Sequence, residues 1–111
     1  MNLLEKIKTA PESISFGEVI AFIDEQYNFT PTRFTNGSTL NEVNQNNGSC
    51  KIFSFAKLQH LSPEQTLSLF GDFYRVDVLQ NPAGTNHQNI RSFIETGWEE
   101  ITFEGEALLA K

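Results

Sequence analysis

The segment Asn81–Trp98 reads NPAGTNHQNIRSFIETGW and contains the signals of one complete helix. Pro82 ends any helix before it, because the residue that precedes a proline avoids the helical backbone conformation. Thr85, with Gln88 three residues later, predicts the N-terminal cap of a new helix. Gly97 is placed to adopt the left-handed conformation that ends many helices. The segment therefore predicts a helix that begins after Thr85 and ends at Gly97.

The two sides of this predicted helix differ in character. Its apolar side, which we expect to face the core, consists of Ile90, Phe93 and Ile94. His87, Arg91 and Glu95 are spaced four residues apart and are expected to form one polar stripe. That stripe is either a surface ladder of ion pairs, which contributes little stability, or part of a ligand-binding surface.

Four further helices are predicted upstream, at residues 2–9, 15–27, 50–58 and 62–79. Capping boxes start the second at Ser15 and the fourth at Ser62. Ser49 is the predicted cap of the third, although the alternation of residues along that segment also fits a strand. Gly71 is expected to kink or split the fourth helix.

Two short strands are also predicted. Aromatic and β-branched residues alternate in Phe29–Phe34, which indicates an edge strand. A second strand is predicted at Trp98–Phe103, and we expect it to pair with the first near Arg33. Residues 38–48 predict an irregular loop, and residues 105–111 a tail or a short final helix. The expected fold is α+β and predominantly helical, a single compact domain of four or five helices with a small two-stranded antiparallel ribbon.

The composition limits the class of protein. The chain has 111 residues, so we expect residues 1–111 to form one domain. Apolar residues make up 39% and aromatic residues 12%, which is enough to build a core. The net charge is −6 and the pI about 4.8, so we expect neither a nucleic-acid partner nor a membrane, which both attract Lys and Arg. The N-terminus lacks the apolar run of a secretory signal.

Cys50 and His87 are weak catalytic candidates. Cys50 follows the predicted cap at Ser49 and precedes Lys51, and both a helix start and an ammonium group lower the pKa of a thiol. The chain order of Cys50, His87 and Asn89 resembles that of cysteine hydrolases, but residues two apart on a helix point in different directions. A buried structural cysteine is therefore the favoured interpretation. One Cys and two His residues support no metal site, and no motif implies a cofactor.

Several polar residues lie near predicted helix starts and turns. The candidates for a ligand-binding surface are Asn36, Lys51, Arg75, His87, Asn89 and Arg91. Arginine offers a planar fork that matches carboxylate and phosphate groups. The set predicts a polar surface that binds a small anion or a peptide.

A family resemblance rests on motifs dispersed along nearly the whole chain. They are Phe34-Thr-Asn-Gly37, Gly48-Ser-Cys-Lys-Ile-Phe53, Thr66-Leu67, Phe70-Gly71, Tyr74-Arg75, Val78-Leu79, Asn81-Pro82, His87-Gln-Asn-Ile-Arg91 and Gly97-Trp98. In these motifs the chain resembles the HopJ type III effector protein family. The resemblance implies a bacterial protein that a type III secretion machine delivers into a eukaryotic host cell.

The resemblance assigns no catalytic residues to this chain, because the family has no established catalytic mechanism. We therefore expect an interaction module rather than an enzyme, with a small anion or a protein, including a host protein, as its partner. The expected location is the bacterial cytoplasm, or a host cell after type III secretion. The alternative is a small hydrolase or transferase that uses Cys50 or His87.

Overall fold

Side-chain caps set the start of two central helices in the computed structural model, which describes residues 2–111. The Ser15 hydroxyl accepts a hydrogen bond from the Glu18 amide at 3.2 Å. Ser62 and Gln65 cap each other reciprocally, with each side chain bonded to the other residue's backbone amide at 3.0–3.1 Å. Both predicted N-caps therefore lie where the sequence places them, and the reciprocal box is present at Ser62.

The described residues form five α-helices, one π-helix and five short strands. The α-helices are α1 (Leu3–Thr9), α2 (Phe16–Gln26), α3 (Asn47–Leu58), α4 (Pro63–Ser68) and α5 (Gln88–Thr96). The strands are β1 (Tyr27–Phe29), β2 (Phe34–Asn36), β3 (Thr39–Asn41), β4 (Ile101–Phe103) and β5 (Leu108–Ala110). The π-helix spans Phe73–Val78, and 3₁₀ turns occupy Pro11–Ser13 and Gly97–Glu100. The predicted α+β, mainly helical fold is confirmed.

The strands form two small antiparallel sheets. In the first, β2 lies between β3 and β4, and Phe34 is opposite Asn41 on one side and Phe103 on the other. The predicted pairing of the strand near Arg33 with the one that ends at Phe103 is thus confirmed, but β3 makes this sheet three-stranded. In the second, β1 pairs with β5.

Several predicted boundaries are wrong. Residues 30–33 of the predicted strand Phe29–Phe34 connect β1 to β2. The predicted loop at 38–48 contains β3, and the predicted tail or helix at 105–111 contains β5. Strand β5 pairs with β1, which is distant in the sequence, so no local signal marks it. Strand β3 instead forms a tight hairpin with β2 across Gly37 and Ser38, and the predicted loop missed this local turn.

Helix α3 forms the centre of the core. Five of its apolar residues are almost fully buried: Cys50, Ile52, Phe53, Phe55 and Ala56. The Phe53 ring contacts four other aromatic rings, those of Phe34, Phe70, Phe93 and Trp98. Ile94 was expected to face this core but is 46% exposed, because α5 presents only Ile90 and Phe93 to it.

Gly71 separates α4 from the π-helix, as the sequence predicts. Its φ is +60°, and a Cβ atom there would lie 2.8 Å from the Phe16 backbone nitrogen. Only glycine meets both requirements without strain. Gly71 therefore lets the start of the π-helix pack closely against the start of α2.

Replacing Gly71 with alanine is expected to lower the free energy of unfolding by roughly 1–3 kcal/mol, because the side chain meets both a strained φ and a backbone clash. The matched control is Gly17→Ala in α2, where an added Cβ meets nothing within 4 Å. That change should leave stability unaltered or raise it by up to about 1 kcal/mol. Urea denaturation of both variants makes the comparison, and an equal effect would contradict the close packing at Gly71.

Candidate functional site

Three phenylalanines form an aromatic ridge along the wall of a cleft: Phe16 of α2, which is half-buried, Phe70 after α4, which is buried, and Phe73 of the π-helix, which is exposed. The Phe16 ring lies 6.4 Å from Phe70 and 5.0 Å from Phe73, measured between ring centroids. All three line two adjoining hollows of about 330 and 430 Å³. We call the smaller hollow the arginine lobe and the larger one the histidine lobe. Phe73 is 40% exposed between them.

The arginine lobe contains Arg75 of the π-helix. Its guanidinium donates hydrogen bonds to the carbonyls of Pro11 and Ile14 at 3.3 and 2.5 Å, and lies 3.7 Å from the Asp72 carboxylate. The side chain keeps 26% of its surface exposed. Arg75 thus ties the π-helix to the segment before α2 and still presents charge to the lobe.

His87 dominates the histidine lobe. Its Nε2 lies 3.0 Å from Oδ2 of Asp77, and its ring packs 5.1 Å from the Phe73 ring. The residue has a φ of +52°, which is uncommon for a side chain other than glycine and is usually held by the surrounding structure. Phe73 and Asp77 belong to the π-helix, an element that is rare and frequent at functional sites.

Two helix starts face the same lobe. Asn46 and His87 precede α3 and α5, both have a φ of +52°, and neither helix start receives a side-chain cap. Gly48, Ser49 and Gln88 of the first turns line the lobe. The first amides of a helix have no partner within the helix, so these two starts present hydrogen-bond donors to the lobe.

A buried network of asparagine side chains, here the asparagine brace, joins these two starts. Asn41 and Asn89 exchange two side-chain hydrogen bonds of 2.9 Å, one in each direction. Asn46 donates to the Asn41 oxygen at 2.7 Å, and Asn36 donates to the Asn89 backbone oxygen at 2.7 Å. The brace therefore fixes β2, β3, α3 and α5 relative to one another.

The sequence did not identify Asn41, Asn46, Ser49 and Asp77 as site residues. The density of asparagine before α3 was the available signal, but composition alone also fits a flexible loop. Helices α3 and α5 begin at residues different from those predicted: Ser49 lies inside α3, and Thr85 precedes α5 without capping it.

The six predicted ligand-binding residues do not form one surface. His87 and Asn89 line the histidine lobe and Arg75 the arginine lobe. Asn36 is fully buried in the brace, with its Oδ1 atom lacking a hydrogen-bond partner. Lys51 instead pairs with Asp24 of α2 at 2.8 Å.

The predicted polar stripe of His87, Arg91 and Glu95 is wrong. His87 lies before the first residue of α5, where its ring turns toward the π-helix. The Arg91 guanidinium donates to the carbonyls of Asn81 and Asn86 at 3.0 and 2.6 Å, so it holds the 81–86 connection rather than an adjacent carboxylate.

Cys50 is buried, with 1% of its surface exposed. Burial raises the pKa of its thiol, and the hydrogen bonds with Thr32 and Ser54 only partly oppose this effect. The expectation of a lowered pKa is therefore wrong, because Cys50 points into the core rather than toward the first-turn amides of α3. The thiol is structural in this arrangement.

The native Cys50 thiol should react slowly with Ellman's reagent at pH 8, because it is both buried and protonated. Unfolding in guanidinium chloride should raise the rate at least about tenfold, toward that of an unperturbed thiol. Absorbance at the wavelength of the released thiolate follows the reaction. A native rate equal to the unfolded rate would contradict the burial of the thiol.

Replacing Asn41 with alanine should lower the free energy of unfolding by roughly 2–4 kcal/mol, because it leaves amide groups of Asn46 and Asn89 without partners in the brace. Asn28→Ala, at an exposed position of β1, is the matched control and should change stability by less than about 0.5 kcal/mol. Urea denaturation measures both, and similar small effects would show that the brace contributes little.

Comparisons with known proteins place the chain in a family. Residues 1–108 match the model of the HopJ type III effector protein family. A crystal structure described as that of the unknown function protein VPA0580 is similar over 100% of this chain and 95% of its own, with 53% identity and a TM-score of 0.97. The search of curated proteins finds no match. Within residues 2–111, no helix is long and apolar enough to cross a membrane. The chain therefore belongs to the HopJ type III effector protein family.

Proposed function

We propose that this protein is an interaction module whose cleft binds an apolar segment of a partner protein that also carries acidic side chains. The observation that carries the proposal is the aromatic ridge, which runs through both lobes and leaves Phe73 40% exposed. Family membership suggests interactions directed at a host, so the proposed partner is a host protein that the module reaches after type III secretion from the bacterial cytoplasm.

The ridge supplies the apolar part of the proposed contact. Large apolar side chains exposed beside a hollow are typical of surfaces that bind other proteins. The adjoining lobes share three rings, so an extended segment can place neighbouring side chains on both sides of Phe73. Aromatic residues at the centre of an interface contribute a large share of the binding energy.

The polar ends of the cleft favour acidic groups. Arg75 presents a guanidinium to one lobe, and His87 with the uncapped starts of α3 and α5 lines the other. These groups complement carboxylates even though the whole chain carries a net charge of −6. Asn89 lines the same lobe. Asn36 holds Asn89 in place through the brace, and Arg91 holds the 81–86 connection. Lys51 has no role in this proposal.

A screen of peptides tests the proposal. A phage-displayed library of extended peptides is selected against the full-length protein, and enriched sequences are synthesised with a fluorescent label. We expect them to combine aromatic or leucine residues with Asp or Glu. Fluorescence polarisation should show that Phe73→Ala weakens binding at least about tenfold, which corresponds to about 1.4 kcal/mol.

Leu109→Ala is the matched control, because Leu109 is 54% exposed on β5, an element outside the cleft. This change should alter the affinity by less than about twofold. Exchanging Glu for Gln in the peptide should weaken its binding to the wild type, and this difference should shrink in Arg75→Gln. Selection of the same peptides by the Phe73→Ala variant, or no enrichment at all, would refute the proposed cleft.

A further inference from the structure

The chain contains two Asn-Gly pairs, Asn36-Gly37 and Asn47-Gly48, and the fold surrounds them differently. We propose that Asn47 is a site of spontaneous deamidation, a covalent modification that turns its side-chain amide into a carboxylate beside the histidine lobe. Asn36 stays intact in the folded protein. The modification does not depend on the proposed interaction function, whereas its effect on binding rests on that function.

The reaction uses only the chain and water. The backbone nitrogen of the residue after an asparagine attacks the side-chain carbonyl carbon. The bond from this carbon to the side-chain nitrogen breaks, and the backbone proton leaves with that nitrogen as ammonia. Water then opens the resulting succinimide ring at either carbonyl, which gives aspartate or isoaspartate. Glycine favours the attack because it has no Cβ atom beside the nitrogen and has the most flexible backbone.

The Gly48 nitrogen is available for this attack. Gly48 is the second residue of α3, and within residues 2–111 its N–H has no hydrogen-bond partner, as is usual for an amide of the first helical turn. Helix α3 also starts without a side-chain cap, and helix ends fray. Fraying matters here because the Asn47–Gly48 peptide must rotate away from its helical conformation before the nitrogen can reach the carbonyl carbon.

The Asn47 side chain is only weakly held. It is half-buried, and its Nδ2 atom lies at the long distance of 3.5 Å from Oδ1 of Asn44. A hydrogen bond of this length restrains a group little. The attacking nitrogen and the attacked carbon belong to adjoining residues, so rotation about the bonds between them is enough to bring them together.

The Asn36-Gly37 pair is held at both atoms. Asn36 is fully buried, and its Nδ2 donates to the Asn89 backbone oxygen at 2.7 Å. The Gly37 nitrogen donates to the Glu100 carbonyl at 3.0 Å. Attack at Asn36 would break this backbone bond and the asparagine brace together, and water would have to enter the core. Deamidation of Asn36 therefore requires a large local unfolding, whereas that of Asn47 requires only the opening of one helical turn.

A carboxylate at position 47 changes the histidine lobe. It adjoins Gly48, which lines the lobe, so it adds negative charge where the proposed function places acidic side chains of the partner. Isoaspartate also adds a carbon to the backbone next to Gly48, where an added Cβ atom would already lie 2.9 Å from the Phe16 ring. The start of α3 itself accepts the charge, because a carboxylate near a helix N-terminus is stabilising. Deamidation should therefore weaken binding without unfolding the protein.

Peptide mapping of the full-length protein, aged in mildly alkaline buffer, tests the modification. Trypsin cleaves after Arg33 and Lys51, so residues 34–51 form one peptide that contains both Asn-Gly pairs. Fragment ions in mass spectrometry then report the conversion of each amide to an acid separately. In the folded protein Asn47 should convert at least about tenfold faster than Asn36, because only Asn36 requires the larger unfolding. In guanidinium chloride the two rates should become similar.

Asn47→Gln is the variant that blocks the reaction, because the longer side chain would have to close a larger ring, which forms more slowly. An isoaspartyl methyltransferase should label the aged wild type but not aged Asn47→Gln. Asn28→Gln, at an exposed position of β1, is the matched control and should leave the labelling unchanged. Equal rates at the two pairs in the folded protein, faster conversion of Asn36, or an Asn47 that survives while the unfolded chain converts would overturn the proposal.

Asn47→Asp introduces the aspartate product directly and tests the effect on binding. It should weaken binding of the selected acidic peptides about threefold, and added salt should reduce this loss. Asn47→Gln should bind them as the wild type does. Unchanged affinity in Asn47→Asp would overturn the effect on the cleft. The peptide map decides the deamidation by itself, so its outcome is distinct from a failure of the interaction function, in which no peptide binds.

Discussion

The reciprocal amide pair of Asn41 and Asn89 is the contact on which the arrangement of the cleft depends. Two hydrogen bonds of 2.9 Å join the end of β3 to the start of α5 inside the protein. A buried amide without partners costs about 1–3 kcal/mol, so each member of the pair requires the other. Asn46 extends the pair to the start of α3. One small network thereby sets the distance between two helix starts that are far apart in the sequence.

The brace also explains why two residues tolerate a left-handed backbone. Asn46 lies directly before α3 and His87 directly before α5. The brace holds the start of each of these helices. Asparagine and histidine both adopt this conformation more often than most residues, and the exposed His60 does so as well, with a φ of +56°. At His87 the π-helix adds contacts from Asp77 and Phe73 that hold the ring in place. Gly71 makes those contacts reachable by bringing the π-helix against α2.

Local sequence signals predicted the helices whose starts depend on local bonds. The N-caps at Ser15 and Ser62 are examples, because donor and acceptor lie within three residues of each other. The start of α5 depends instead on bonds across about 50 residues, between Asn41 or Asn36 and Asn89, which no local pattern reports. The same reason explains why β5, which pairs with β1 from the other end of the chain, escaped prediction. The start of α3 depends on the bond from Asn46 to Asn41 of β3, which is not a standard helix cap. His87, Asn89 and Arg75 were identified as site candidates, whereas their shared cleft required the tertiary structure.

Helix geometry distinguishes the chemistry of Ser49 from that of Cys50. Successive residues of a helix are turned by about 100°, so two neighbours on α3 can belong to the core and to the cleft respectively. The sequence directs attention to the thiol because sulfur is the stronger nucleophile, yet burial raises the pKa of Cys50 and withdraws it from any ligand. Ser49 is the weaker nucleophile, but its side chain is accessible from the cleft. A hydroxyl gains nucleophilic strength only from a base within reach, and no described side chain is hydrogen-bonded to that of Ser49, so its position in the cleft suits hydrogen bonding to a bound segment.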